Sequence, residues 1–363
     1  MMGIRNSSLR RQADVSGRIS VGARSLYAVI LCALCAVCAA GVAWAASGGG
    51  KVVVYTSVDE VDAKQVLAAF EKEAGIEVLP LFDTEAAKTT GLALRLLSEK
   101  SRPRADVFWN NELSRTLMLA DKGVLAPYQS SSAADIPAQW KDAGGMWAAY
   151  SLRARVIVCN ADKVKESEAP KTLWDLCLPR WKNKAGIANP LFGTTACQAA
   201  ALARVWGEAK ALEFFRKLQG NGIRVYDGNS TVRDAVAAGE IEVGLTDTDD
   251  ALIGVKRGMK IAMVLPDQEK GGIGTLVIPN SVALVAGAPH PKEAKAFIDF
   301  LLSRAVEKRF ADPADGQIPV RGENIPSDLA SIKAMKVDWA AVSELTGPFS
   351  KKAADILTGQ AAK

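Results

Sequence analysis

Along the chain, apolar residues recur first with the period of a strand and then with that of a helix, and the two patterns alternate. In KVVVYTSVDEVDAKQVLAAFEKEAG the strand VVVYT leads through a polar loop into a helix. That helix carries Ala63, Val66, Leu67 and Phe70 on one face and ends at Gly75. Strand IEVLPLF, helix KTTGLALRLLSEK with Leu92 and Leu96 one turn apart, and strand ADVFW come next. Such alternation predicts a largely parallel sheet covered by helices on both faces. At MWAAYSLRARVIVCN the pattern gives way to a long extended stretch. A second series follows: KAGIANP into TTACQAAALARVW, GIRVYDG into STVRDAVAAG, and IEVGLTD into DDALIGVKRG. Another extended region, GTLVIPNSVALVAG, precedes helix PKEAKAFIDFLLSRAVEKRF, with Ala294, Phe297, Ile298 and Leu301 on one face. The second series predicts a second lobe, and the two extended regions read as crossings between the lobes.

The first 45 residues break this pattern. Arg5, Arg10, Arg11, Arg18 and Arg24 precede an apolar stretch from Leu26 to Val42, then Ala43-Trp44-Ala45. A basic start, an apolar middle and a small-x-small end predict a secretory signal peptide cut after Ala45. Seventeen apolar residues are marginal for a membrane span, so an anchor is the rival reading. The segment takes with it five of the 45 Lys and Arg and one of the 40 acidic residues, leaving 40 against 39. A chain so nearly neutral gives no reason to expect nucleic acid or a membrane surface as partner. Cys159, Cys177 and Cys197 remain, an odd number without zinc-binding spacing, and are expected as small buried hydrophobes.

Candidate chemistry concentrates where strands run into helices, the place α/β proteins keep their ligands. GLTDTDDALIG sets Asp247, Asp249 and Asp250 within four positions at such a junction. They either cap the following helix and suit its dipole, or face a ligand. FGTTACQ places Gly193, Thr194 and Thr195 at a helix start, and DGNSTVRDAV does the same with Asn229, Ser230 and Thr231. Free N–H groups and hydroxyls there serve as ordinary caps or bind an anion.

The chain resembles the periplasmic solute-binding proteins of ABC importers, in the group with iron(III)- and thiamine-binding members. VVVYTSVDE, ADVFWNNE followed by LMLADKGVLAPY, SLRARVIVCNADKV, TLWDLCLPRWKNKAGIANP and AVAAGEIEVGL carry the likeness in order. The resemblance implies a type II periplasmic-binding fold, an α/β clamshell of two lobes joined by hinge strands with the ligand between them. Residues 51–148 with 278–328 would form one lobe, and 149–277 with 329–363 the other. It also implies a membrane permease with its ATPase as partner, a small-molecule or metal ligand, no cofactor and a monomer. Ferric members commonly use a histidine, a glutamate and two adjacent tyrosines. Those positions fall here on Asp59, near Asn111, and on Asp249 and Asp250. His290, the sole histidine, sits in GAPHPKEA, where a surface or capping role is expected.

The fold would bring Asp59 and Glu60, then Trp109, Asn110 and Asn111, to the same cleft as Asp247, Asp249 and Asp250. Carboxylate and amide oxygens suit a hard cation, with Asp59, Asp249 and Asp250 as candidate metal ligands. An indole beside carboxylates also suits an organic ammonium. A metal cation bound with an anion, an aminophosphonate-like zwitterion, and thiamine or a polyamine therefore all stand open. An exported metal-dependent hydrolase is the opposing class, but no G-x-S-x-G elbow or complete phosphate loop accompanies the acidic turn.

Overall fold

The computed structural model describes residues 49–83, 90–310, 316–323, 325 and 329–360. The expected signal peptide and its cleavage point lie outside the described residues. Elements follow in chain order: β1 (Lys51–Thr56), α1 (Glu60–Ala74), β2 (Glu77–Phe82), α2 (Thr90–Ser98), β3 (Val107–Asn110), α3 (Ser114–Asp121), β4 (Leu125–Ala126) and β5 (Ala148–Asn160). Then come β6 (Ala185–Ala188), α4 (Gly193–Trp206), α5 (Glu208–Gly220), β7 (Arg224–Tyr226), α6 (Asn229–Ala237), β8 (Val243–Asp247) and α7 (Thr248–Lys256). The chain ends with β9 (Ile261–Val264), β10 (Val277–Val285), α8 (Pro291–Leu301), α9 (Arg304–Phe310) and α10 (Trp339–Leu357).

Helix α1 shows how local pattern becomes packing. Ala63, Val66, Leu67 and Phe70, spaced three or four apart, are its buried residues. Burying one large apolar side chain contributes roughly 1.5–3 kcal/mol. Gly75 ends the helix at φ 65°, and its N–H donates to Glu71 O at 2.9 Å. The long helix expected after β10 is instead two. Ser303 interrupts it, its Oγ accepting from Val306 N at 3.3 Å as a new helix starts.

The ten strands join in the order β2-β1-β3-β10-β5-β8-β6-β7, with β4 on β10 and β9 on β5. The sheet is mixed where a largely parallel one was expected. β1 pairs in parallel with β2 and β3, as β6 does with β7 and β8, but β10 and β5 run antiparallel to their neighbours. The reason lies in β5, buried along its whole length. Ala148–Ala154 pair with β10, whereas Arg155–Cys159 pair with β8. One strand thus serves both halves of the molecule.

Among the described residues the buried apolar ones form two clusters, the first of which extends to Val232 and Val236 of α6. Val54, Phe70, Phe108, Trp109, Tyr150 and Phe297 belong to the first, and Trp181, Phe214, Phe215, Leu245 and Phe349 to the second. The C-terminal helix α10 packs on α4 and α5 and also on α3, where Ser343 Oγ donates to Ser114 O at 2.7 Å.

Candidate functional site

The deepest polar assembly forms where β5 crosses between the halves. Arg155, fully buried, donates from Nη1 to Asp247 Oδ1 at 2.8 Å, to Thr194 Oγ1 at 3.1 Å and to Asn229 Oδ1 at 3.0 Å. Its Nε reaches Gln198 Oε1 at 3.0 Å and its Nη2 reaches Thr195 Oγ1 at 3.3 Å. Asp247 Oδ2 accepts from Thr194 Oγ1 at 2.6 Å and from Asn229 Nδ2 at 2.9 Å. One arginine therefore ties the start of α4 and the start of α6 to the end of β8. A buried charge is tolerated when it is paired and hydrogen-bonded in this way.

These contacts decide the capping question for Asp247. It stands at the N-cap of α7, but its side chain makes no capping hydrogen bond. The carboxylate turns instead to Arg155, Thr194 and Asn229, where a full opposite charge outweighs the partial charge of a helix start.

Above this layer lies a narrow cavity open to solvent. Asp59, Asn111, Arg153, Gly193, Thr194, Thr195, Asp227, Asn229, Ser230, Asp249 and Asp250 are among its lining residues. The helices α4 and α6 both start on it, and neither carries a side-chain cap. Their first-turn N–H groups are those a helix cannot satisfy internally. Gly193 opens α4 at φ 55°, a left-handed conformation strained for any other residue.

The acidic side is more crowded with positive charge than the sequence suggests. Arg153 Nη1 lies 3.0 Å from Asp249 Oδ2 and 3.6 Å from Asp247 Oδ2. Arg233 Nη1 lies 3.4 Å from Asp250 Oδ1. Even so, burial pushes the Asp249 carboxyl up to about 6, Arg153 opposing and Asp247 and Asp59 adding to the rise. Burial, with Asp249, Asp247 and Asp59, likewise holds Asp250 well above the ordinary carboxylate range. Asp249 Oδ1 is buried and has no hydrogen-bond partner among the described residues. Oxygens of Asp247, Asp249 and Asp250 all lie within 4.8 Å of one another, a spacing that a cation can bridge.

The structure brings Asp59, Asn111, Gly193, Thr194, Thr195, Asn229, Ser230, Asp249 and Asp250 to one cavity, as expected. Asp247 belongs to the layer beneath it. Asn110 is fully buried and ties the end of β3 to the loop after β1, its Oδ1 accepting from Ser57 Oγ at 2.7 Å. Trp109 is corrected from ligand contact to core. It is fully buried and meets Tyr150, Phe297 and Phe310 edge-on. Glu60 points to solvent in the first turn of α1, 2.7 Å from Lys64 Nζ, and Thr231 is exposed; neither lines the cavity. His290 stands at the N-cap of α8 without capping it, and its Nδ1 lies 2.8 Å from Asp106 Oδ2. The three cysteines among the described residues are free, and burial raises the thiols, Cys159 to about 12 and Cys177 to about 11.

Sequence reasoning missed Arg153 and Arg155. The signal was present, because two arginines at alternate positions of a mostly apolar strand put two charges on one face of a buried element.

Residues 102–344 match the model of a family described as bacterial extracellular solute-binding protein. The chain is 26% identical over 325 residues to the Fe(3+)-binding periplasmic protein of Serratia marcescens, covering 87% of this chain and 92% of that one. It is 28% identical over 260 residues to the putative 2-aminoethylphosphonate-binding periplasmic protein of Salmonella typhi, covering 69% and 75%. The crystal structure of iron-bound HitA from Pseudomonas aeruginosa superposes with a TM-score of 0.75 at 24% identity, over 84% of this chain and 99% of that one. That likeness shows the fold, a type II two-lobe clamshell.

Proposed function

We propose, from the premise that the chain belongs to the bacterial extracellular solute-binding proteins, that it is the substrate-binding component of an ABC importer. Its ligand brings positive and negative charge into the cleft together. One observation carries this reading: a single cavity sets Asp59, Asp249 and Asp250 against the uncapped starts of α4 and α6. Carboxylates attract the cationic part, and the free N–H groups of two helix starts attract the anionic part.

Two ligand classes have that charge pattern. A ferric-type metal ion held with an anion is the first, supported by what the Serratia relative is named for. Asp59, Asp249 and Asp250 would hold the metal, and α4 and α6 the anion. An organic zwitterion with an ammonium and an anionic group is the second, supported by what the Salmonella relative is named for and by the guanidinium already beside Asp249. Capture then draws the halves together about β5 and β10, because a ligand touched from both sides stabilises the closed form. The basic and apolar N-terminus, together with the periplasmic naming of both relatives, supports export and cleavage after Ala45. A permease with its ATPase would receive the ligand unchanged.

Native mass spectrometry with elemental analysis, on protein purified from its own host, is expected to find such a ligand. Small-angle scattering before and after its removal is expected to show a more compact loaded state. An unchanged radius alongside demonstrated binding would remove the clamshell mechanism, and turnover of an ester or phosphoester with Mg²⁺ would remove the binding-protein reading.

A further inference from the structure

Metal capture by an acidic turn needs carboxylates not already matched by cations. The three enclosed carboxylates here, Asp247, Asp249 and Asp250, stand against the enclosed guanidinium groups of Arg155, Arg153 and Arg233, the last shared with Asp234 at 2.8 Å. Further negative charge lies at the exposed Asp59 and Asp227, which line the same cavity. Arg153 is held firmly. Its Nε donates to Asn280 Oδ1 on β10 at 2.9 Å while Nη1 faces Asp249, so the group is fixed between the two crossing strands. It is 6% exposed, yet it lines the cavity beside the first residues of α4 and α6. Among the described residues its hydrogen bond and ion pairs use Nε and Nη1, which leaves Nη2 as a donor for whatever enters.

Resting on the doubly charged cleft argued above, we propose that Arg153 is the specificity-determining residue. It selects an organic zwitterion, with an oxyacid anion and an ammonium group, over a bare ferric ion. A trivalent ion on Asp249 would lie within a few ångströms of a fixed like charge that is itself almost wholly buried, where such repulsion is weakly screened. An organic anion meets the opposite field, a planar donor together with the N–H groups of two helix starts. The ammonium of the same molecule then faces the Asp249 carboxylate, with Asp59 and Asp227 at the mouth.

Calorimetric titration with aminomethylphosphonate, with methylphosphonate and methylammonium as its two halves, and with ferric citrate tests this. The wild type is expected to bind aminomethylphosphonate at least tenfold more tightly than either half and than ferric ion. Arg153→Gln should weaken the phosphonate at least tenfold and strengthen iron uptake, and Arg153→Lys should recover part of the phosphonate affinity. Because Arg153→Gln leaves Asp249 unmatched, the double variant R153Q/D249N guards against misfolding. With charge balance restored, it should stay folded and still fail to bind phosphonate. Unchanged phosphonate affinity in Arg153→Gln, or iron held more tightly by the wild type than by that variant, overturns the inference and leaves the doubly charged cleft standing. A folded wild type that binds neither the phosphonates nor iron overturns both.

Discussion

Arg153 and Arg155 stand two residues apart on β5 and pair with aspartates of the same strand-to-helix turn, but in different surroundings. Arg155 and Asp247 are both wholly enclosed, and their remaining donors and acceptors are taken up by Thr194, Thr195, Gln198 and Asn229. Arg153 and Asp249 keep 8% and 15% of their side chains exposed and line the cavity. A saturated buried network fixes geometry, whereas a pair at a cavity wall with an unmatched oxygen is poised to exchange partners. The difference separates the framework of the site from its working surface.

Breaking the framework should have the largest effect. Arg155→Met leaves the buried Asp247 with only the more distant Arg153 as counter-charge, and loss of one partner of a buried pair costs about 3–5 kcal/mol. Chemical denaturation should show a loss of this order, and a variant as stable as the wild type would deny the network its structural role.

The working surface should respond to pH instead. Asp249 is raised by burial to about 6 in the folded protein against an ordinary value of 3.8. Its folded form therefore holds a proton more tightly than the unfolded chain does. Stability from this group is present below about pH 4, falls as pH rises, and is lost above about pH 6, a change of up to roughly 3 kcal/mol. Asp249→Asn should flatten the stability profile across that window. Since a bound cation favours the ionised carboxylate, ligand affinity should weaken as pH falls from 7 toward 5. Affinity that is flat over this range would place the ligand away from Asp249.

The smallest effects are expected where the cavity is not. Trp109→Phe keeps most of the ring packing and should change ligand affinity less than twofold, with a stability cost of about 1 kcal/mol. Glu60→Gln, at an exposed ion pair, should alter neither measurably. A tenfold loss of affinity in either would return that residue to the ligand.

Much of the frame was legible because its helices are one-sided. The spacing of Ala63, Val66, Leu67 and Phe70, and of Ala294, Phe297, Ile298 and Leu301, gave helix faces that the structure buries. The junctions at Thr194, Asn229 and Asp249 were legible for a related reason, since polar residues right after an apolar strand mark a place where backbone groups need partners. Trp109 was not. Every residue of β3 is buried, so alternation along that strand says nothing about which side chain faces the cleft. Helices α5 and α10 were not foreseen, although α5 buries Ala211, Phe214, Phe215 and Leu218 at helical spacing. Within α10, Pro348 sits inside the helix and obscures the pattern. The counter-charges were hidden most deeply, because pairing between β5 and the turn after β8 joins residues about 90 positions apart.

The central claim is that the turn after β8 faces the ligand. Calorimetric titration of the ligand recovered from the native protein into the wild type and into Asp249→Asn/Asp250→Asn tests it most directly. Asparagine keeps the shape of each side chain but cannot take up the negative charge that a bound cation draws out on a carboxylate. Attraction between unit charges about 4 Å apart is roughly 4 kcal/mol at an effective dielectric near 20, so even a third of it is a factor of about ten. The account predicts a folded double variant with at least tenfold weaker binding; wild-type affinity in that variant would contradict it.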